Sequence, residues 1–373
     1  MRRLDRITAA RPITTPTFRV RRSKPVAAAL VAIAIGAACG TDSDEGRPDA
    51  TAPERVTVTL LTHGSFVVSN AIWGPLAAQG IDVKVISAGD AGELTNQLVL
   101  DREQPQGDLA FGVDNTFLGR ALAGDVFAAH DVDTGELDPE LVPGVGADRV
   151  VPVDFGDVCV NYDREWFAAR DLEPPATLDD LTAPQYRDLT VVQDPNLSSP
   201  GLAFLLATAL RDPDGWEEWW RALREDGVLV VDGWETAWNV EFSGGGGGGD
   251  RPIVVSYASS PPATVMFSEG ARTEPNVGVV DDACFRQVEY AGVLANADHP
   301  DEAGVVLQYL LSPRFQADVP ANMLVFPARV GETLPEVFDR WVVRPADPII
   351  ADPAAIDAQR DDLLERWTEI VLT

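Results

Sequence analysis

Leu189-Thr190-Val191-Val192-Gln193-Asp194-Pro195-Asn196-Leu197-Ser198-Ser199-Pro200-Gly201-Leu202 is the stretch that decides the fold. Its first four residues are apolar or β-branched and suit a short buried strand. Asp, Pro, Asn and two serines then form a loop of turn-building residues. Pro200 fits the first turn of a helix, where its missing N–H is not needed. Strand, loop and helix in that order make half of the unit from which α/β proteins with a largely parallel sheet are assembled.

The same alternation extends in both directions. Short apolar runs at 56–61, 83–86, 150–153, 159–162, 228–231, 253–257 and 287–293 predict further strands. Helices are expected where Trp216, Trp219, Trp220 and Leu223 form one stripe, and where Ala303, Val306, Leu307, Leu310 and Leu311 keep a 3.6-residue period that stops before Pro313. The tryptophan stripe reads as core. The run Gly244 to Gly249 reads as a flexible surface loop, and no internal repeat is visible.

The N-terminus differs from the rest. Seven arginines and Lys24 precede an uncharged apolar run from Pro25 to Ala38, too short for a comfortable membrane span, as in an export signal over residues 1–38. The run ends in Gly36-Ala37-Ala38-Cys39-Gly40. Small residues ahead of a cysteine resemble the bacterial lipobox, so Cys39 is the expected lipidation site and residues 39–55 a polar tether anchoring the protein outside the cytoplasmic membrane. Gly36 stands where that pattern usually has Leu, and ordinary signal cleavage is the alternative. Removing residues 1–38 takes away eight basic residues and one acid, moving the formal charge from −30 to −37. Such a surface repels nucleic acid and favours a cationic ligand.

Several chemistries find no residues here. The chain has only Lys24 and Lys84, neither after a glycine, so no phosphate-binding Walker loop exists. Neither a Gly-x-Ser-x-Gly elbow nor a His-Glu-x-x-His helix occurs, and His63, His130 and His299 have no metal-ligand spacing. No metal and no cofactor are expected. In an oxidising compartment Cys159 and Cys284 read as a disulfide. The open alternative is a free Cys159 nucleophile near Asp154 and Asp157.

Seven segments line up, in order, with one family. Thr62-His63-Gly64-Ser65-Phe66 with Trp73-Gly74-Pro75, Gly112-Val113-Asp114-Asn115, and Val151-Pro152-Val153-Asp154-Phe155-Gly156 come first. Gln193-Asp194-Pro195 with Ser198-Ser199-Pro200-Gly201-Leu202, Gly233-Trp234-Glu235, Ser256-Tyr257 with Ser260-Pro261, and Val325-Phe326-Pro327 follow, and an Ala358-Gln359-Arg360 helix closes the series. Together they resemble the thiamine-binding proteins of bacterial ABC importers over roughly residues 56 to 370. The resemblance implies a type II periplasmic-binding fold, two α/β lobes joined by crossing strands with the ligand between. The expected division is 56–152 plus 261–312 for one lobe and 153–260 plus 313–373 for the other. It also implies a monomer that hands thiamine or a thiamine phosphate to a permease and its ATPase subunit, and that is not an enzyme.

Thiamine carries a permanent cation and an aminopyrimidine, which call for aromatic faces and hydrogen-bond acceptors. The matched residues expected to meet it are His63, Ser65, Trp73, Asp90, Asp114, Ser198, Trp234 and Tyr257. Asp90 either caps a helix or balances the ligand. Asp114 is either an acceptor for the pyrimidine amino group or the centre of an Asx turn, and Ser198 either a ligand contact or a helix cap. At His63, Ala263 and Leu324 the family pattern has aromatics that this chain lacks, with Met266 or Phe267 as candidate replacements. Another organic cation, such as a pyrimidine precursor or a polyamine, is the alternative ligand. A thiamine-degrading enzyme of the same fold, working through Cys159, is the alternative activity.

Overall fold

The computed structural model describes residues 55–373; the signal segment and Cys39 lie outside the described residues. Nine strands form one sheet: β1 (Val56–Thr62), β2 (Ile81–Ser87), β3 (Leu109–Asp114), β4 (Val151–Asp163), β5 (Thr190–Gln193), β6 (Leu229–Val231), β7 (Ile253–Tyr257), β8 (Val277–Val293) and β9 (Phe326–Pro327). Their order is β2-β1-β3-β8-β4-β7-β5-β6, with β9 added on β4.

The flanks of the sheet are parallel, as read from the sequence: β1 runs with β2 and β3, and β5 with β6 and β7. Its middle is not. β8 pairs antiparallel with both β3 and β4, and β4 with β7, so the largely parallel sheet of the sequence reading is corrected to a mixed one. The reason lies in β4 and β8, which are 13 and 17 residues long and cross the whole molecule as a pair. Each joins the two α/β lobes, and two crossing connections in opposite senses necessarily run antiparallel. The runs at 150–153 and 159–162 are thus two parts of one strand.

Register in that pair slips twice, between Pro152 and Asp154 and again between Val158↔Phe285 and Val160↔Val280, and at the second slip Ala283 has a φ of 56°. Cys159 and Cys284 form a disulfide there, closing a sequence separation of 125 residues. The crossing strands are therefore tied covalently beside their own irregularity. No Cys159 thiol remains, which removes the nucleophile of the alternative enzymatic reading.

Helices pack on the sheet where their apolar stripes predict. The Ser199–Arg211 helix is buried along nearly its whole length. Trp220 lies edge-on to Phe204, Trp219 and Trp367 and donates from its indole nitrogen to Thr208, so the tryptophan stripe is core. The glycine run reaches the surface at Gly246, Gly247 and Gly248, as read, but its first residues are packed. Gly244 is buried, and a Cβ on Gly245 or Gly247 would fall within 1.9 or 1.6 Å of the Trp238 or Asn239 carbonyl oxygen. These glycines let the chain lie against a π-helical turn, Ala237–Glu241.

Candidate functional site

A cleft of about 230 Å³ opens where loops from both flanks of the sheet converge. The loop after β1 contributes His63, Ser65 and Val67; the start of the Ala91–Leu100 helix contributes Asp90. Trp234 and Glu235 follow β6, Tyr257 ends β7, and Gln287 and Glu289 project from β8. Met323, Leu324 and Val325 line the remaining wall with Phe267. Most of these positions follow the carboxyl ends of strands, where open α/β sheets bind ligands.

Trp234 is held on three sides. Its ring stacks on Trp238 at 5.8 Å with an interplanar angle of 11°. The indole nitrogen donates to the Ser256 hydroxyl at 2.9 Å, and the backbone N–H donates to Asp90 at 3.1 Å. Tyr257 lies 6.5 Å from Trp234 and donates its hydroxyl to Gln287 at 2.9 Å. Gly156 makes room for it, since a Cβ there would sit 2.9 Å from the tyrosine ring. One face of Trp234 is thus taken up by Trp238, while the side chain lines the cleft, where its ring can meet a cation.

Both oxygens of Asp90 are engaged. One accepts from the N–H of Ala91 at 2.7 Å and the other from Trp234, while Glu93 completes a capping box. The buried Ser198 hydroxyl, with no other partner, lies beside this carboxylate. Burial raises the pKa of Asp90 against these hydrogen bonds. Asp114 is fully buried and sits behind the cleft wall. It accepts from the N–H of Thr116 and Phe117, from the Thr116 hydroxyl, and from Ser199 at the start of the Ser199–Arg211 helix. Burial pushes its pKa to about 7 despite those donors.

Two acids that the sequence reading did not single out as site residues complete the arrangement. Asp114 on β3, Glu289 on β8 and Asp154 on β4 stand directly opposite one another across three adjacent strands. Side chains so placed point to one face, and like charges directly opposite are destabilising. Burial and the neighbouring Glu289 push Asp154 well above the usual carboxylate range, so it holds a proton. Burial works against a charge on Glu289, but His63 and the neighbouring Asp154 carboxyl outweigh it and hold its pKa below the ordinary value. His63 stands 3.4 Å from Glu289, and its Nδ1 accepts from the Ser65 N–H at 3.2 Å. Burial also opposes a charge on His63, yet Glu289, Asp90 and Asp114 hold its pKa above the ordinary histidine value. A signal for Glu289 existed in Gln287-Val288-Glu289, an acid inside an apolar strand. Only the strand order reveals what it faces.

Of the eight residues singled out from the sequence, His63, Ser65, Asp90, Trp234 and Tyr257 line the cleft. Ser198 and Asp114 are buried behind it. Trp73 is elsewhere, packed 6.2 Å from Tyr309 and 5.9 Å from Phe315. Leu324 and Phe267 line the cleft, whereas Ala263 and Met266 do not. Leu324 has a φ of 62°, a conformation that costs a branched apolar residue energy and is typical of site walls.

Two lobes, crossing strands and a buried aromatic and acidic cleft define a protein that traps a solute. Residues 107–342 match the family described as bacterial extracellular solute-binding protein, and the chain belongs to it. It is 28% identical over 323 residues to the thiamine-binding periplasmic protein of Escherichia coli (strain K12), covering 84% of this chain and 93% of that one. A solved periplasmic thiamin binding protein aligns with a TM-score of 0.76 at 26% identity, over 87% of this chain and 99% of that one. Iron-bound HitA from Pseudomonas aeruginosa, at a TM-score of 0.66 and 20% identity over 84% of this chain and 99% of its own, shares the fold.

Proposed function

We propose that this chain captures thiamine or a thiamine phosphate outside the cytoplasmic membrane and delivers it to an ABC permease driven by an ATPase subunit. The observation that carries the reading is the cleft itself: a clamped Trp234 lining it beside Tyr257, together with Asp90, Glu235 and Glu289, with no lysine or arginine among the lining residues. A desolvated cation over tryptophan gains about 2 kcal/mol, and the surrounding acids supply its counter-charge. The thiamine-binding relatives support the choice among organic cations. His63, Ser65, Asp90, Trp234 and Tyr257 are proposed as the cleft residues that shape the site, with Ser198 and Asp114 behind them. Trp73 is assigned to packing.

The proposal includes a monomer anchored through lipid on Cys39, and lobes formed by 56–152 plus 261–312 and by 153–260 plus 313–373, which close on the ligand as the signal for transport. The test is calorimetry of the full chain carrying Cys39→Ser with thiamine and its phosphates. One-to-one submicromolar binding that quenches tryptophan fluorescence is expected. No heat and no quenching with any of them would overturn the reading.

A further inference from the structure

Glu289 is the middle member of the acid rung, and the three carboxyls are used very differently. Asp114 has its oxygens filled by four donors from Thr116, Phe117 and Ser199. An aminopyrimidine could reach it only by displacing them. Asp154 is fully buried, has no hydrogen-bond partner on either carboxyl oxygen among the described residues, and faces Glu289 across the β4/β8 pair. Glu289 alone of the three reaches the cleft, where His63 stands beside it.

We propose that Glu289, rather than Asp114, is the carboxylate that accepts the N–H donors of the ligand's aminopyrimidine. Asp154, directly opposite it on β4 with both carboxyl oxygens buried and otherwise unpartnered, is its positioning residue. The division of labour follows from chemistry. A quaternary ring nitrogen has no hydrogen to donate and is served by the ring of Trp234 in the cleft wall, whereas an exocyclic amino group needs a directional acceptor. Glu289 lies in the floor of the cleft on a central strand, and rigid elements hold such acceptors better than loops do. Two carboxyls this close cannot both ionise, so the proton on Asp154 is fixed on the side away from the cleft and the negative charge on the side facing it. Tyr257 and Gln287, hydrogen-bonded to each other, close the floor beside Glu289. His63 stands 3.4 Å from the same carboxylate without a hydrogen bond to it, which leaves the Glu289 oxygens open to a ligand donor.

The inference rests on the thiamine reading, and the test keeps the two apart. Calorimetry of the full chain uses three probes: thiamine, its oxo analogue with a carbonyl in place of the pyrimidine amino group, and the free hydroxymethyl aminopyrimidine. Wild-type protein is expected to prefer thiamine over the oxo analogue. Glu289→Gln should weaken thiamine about 10- to 100-fold, the effect of a hydrogen bond to a charged group, and abolish that preference. Asp154→Asn keeps an N–H donor toward Glu289 and should stay within about threefold of wild type, while Asp154→Ala should lose about tenfold. Rescue by asparagine separates positioning from mere packing, and holds even where the alanine variant fails to fold. Thiamine binding that ignores Glu289→Gln would overturn the proposal and leave the thiamine reading standing. Binding of the free aminopyrimidine but not thiamine, with Glu289 dependence, would do the reverse. Binding of neither overturns both.

Discussion

The site separates side chains that face the cleft from those that merely resemble site residues, and two tryptophans mark the difference. Trp234 lines the cleft, so Trp234→Ala is expected to weaken binding about 30-fold, the equivalent of about 2 kcal/mol, as read by calorimetry. Trp73 packs on Tyr309 and Phe315, so Trp73→Ala should cost about 2 to 3 kcal/mol of stability in denaturant unfolding and leave the dissociation constant unchanged. Asp114 makes a different kind of prediction. Its pKa is raised from 3.8 to about 7, so the folded state holds its proton more tightly than the unfolded chain does. Its contribution to stability is complete below the unfolded value and disappears as pH rises through about 7, by at most about 4 kcal/mol. Urea unfolding at about pH 5 and about pH 8 should show a lower midpoint at the higher pH. Asp114→Asn should reduce that difference, leaving the part due to Asp90, Asp154 and His63, and an unchanged slope in the variant would assign the whole effect to those groups.

At the level of elements, the sequence told more about single strands and helices than about how they meet. The Ile253–Tyr257 strand and the two amphipathic helices were legible because each carries its own continuous run or stripe of buried apolar side chains. β3 escaped because Gly112 interrupts its apolar run. That glycine has a φ of 100° at a register shift, and a Cβ there would lie 2.1 Å from the His63 ring. The same close approach that hides the strand makes room for a cleft residue. Likewise the acid rung was illegible, since Asp114, Asp154 and Glu289 are far apart in sequence and only the antiparallel centre of the sheet makes them neighbours. The disulfide was readable from cysteine number and compartment, though not its position at the break in register between β4 and β8. Reduction should therefore act on the crossing strands as a unit. The chain-entropy model puts the loss near 5 kcal/mol for this loop, so a clear fall in melting temperature with reductant is expected.

Across the whole molecule, the two flanks of the sheet touch through a few backbone-scale contacts beside the cleft, and these define the closed arrangement. Asp90, capping a helix next to β2 at one edge of the sheet, accepts the N–H of Trp234 just after β6 at the other edge. Gly92 donates to the Leu197 carbonyl at 3.0 Å. Both contacts depend on glycine: a Cβ on Gly92 would stand 2.4 Å from that carbonyl oxygen, and one on Gly233 would stand 2.9 Å from the Asp90 carboxylate. Neither glycine has a φ in the left-handed region, so an added methyl strains no backbone and acts only on the approach of the flanks. Gly92→Ala is accordingly expected to leave each flank folded while holding the two apart. Small-angle scattering with saturating thiamine should then give a larger radius of gyration than wild type, and affinity should fall about tenfold or more because the cleft no longer closes over Trp234. The melting temperature without ligand should change little, since no core side chain is lost. A variant that binds normally and compacts normally would mean that the ligand is held by one flank alone, with closure contributing nothing to its capture.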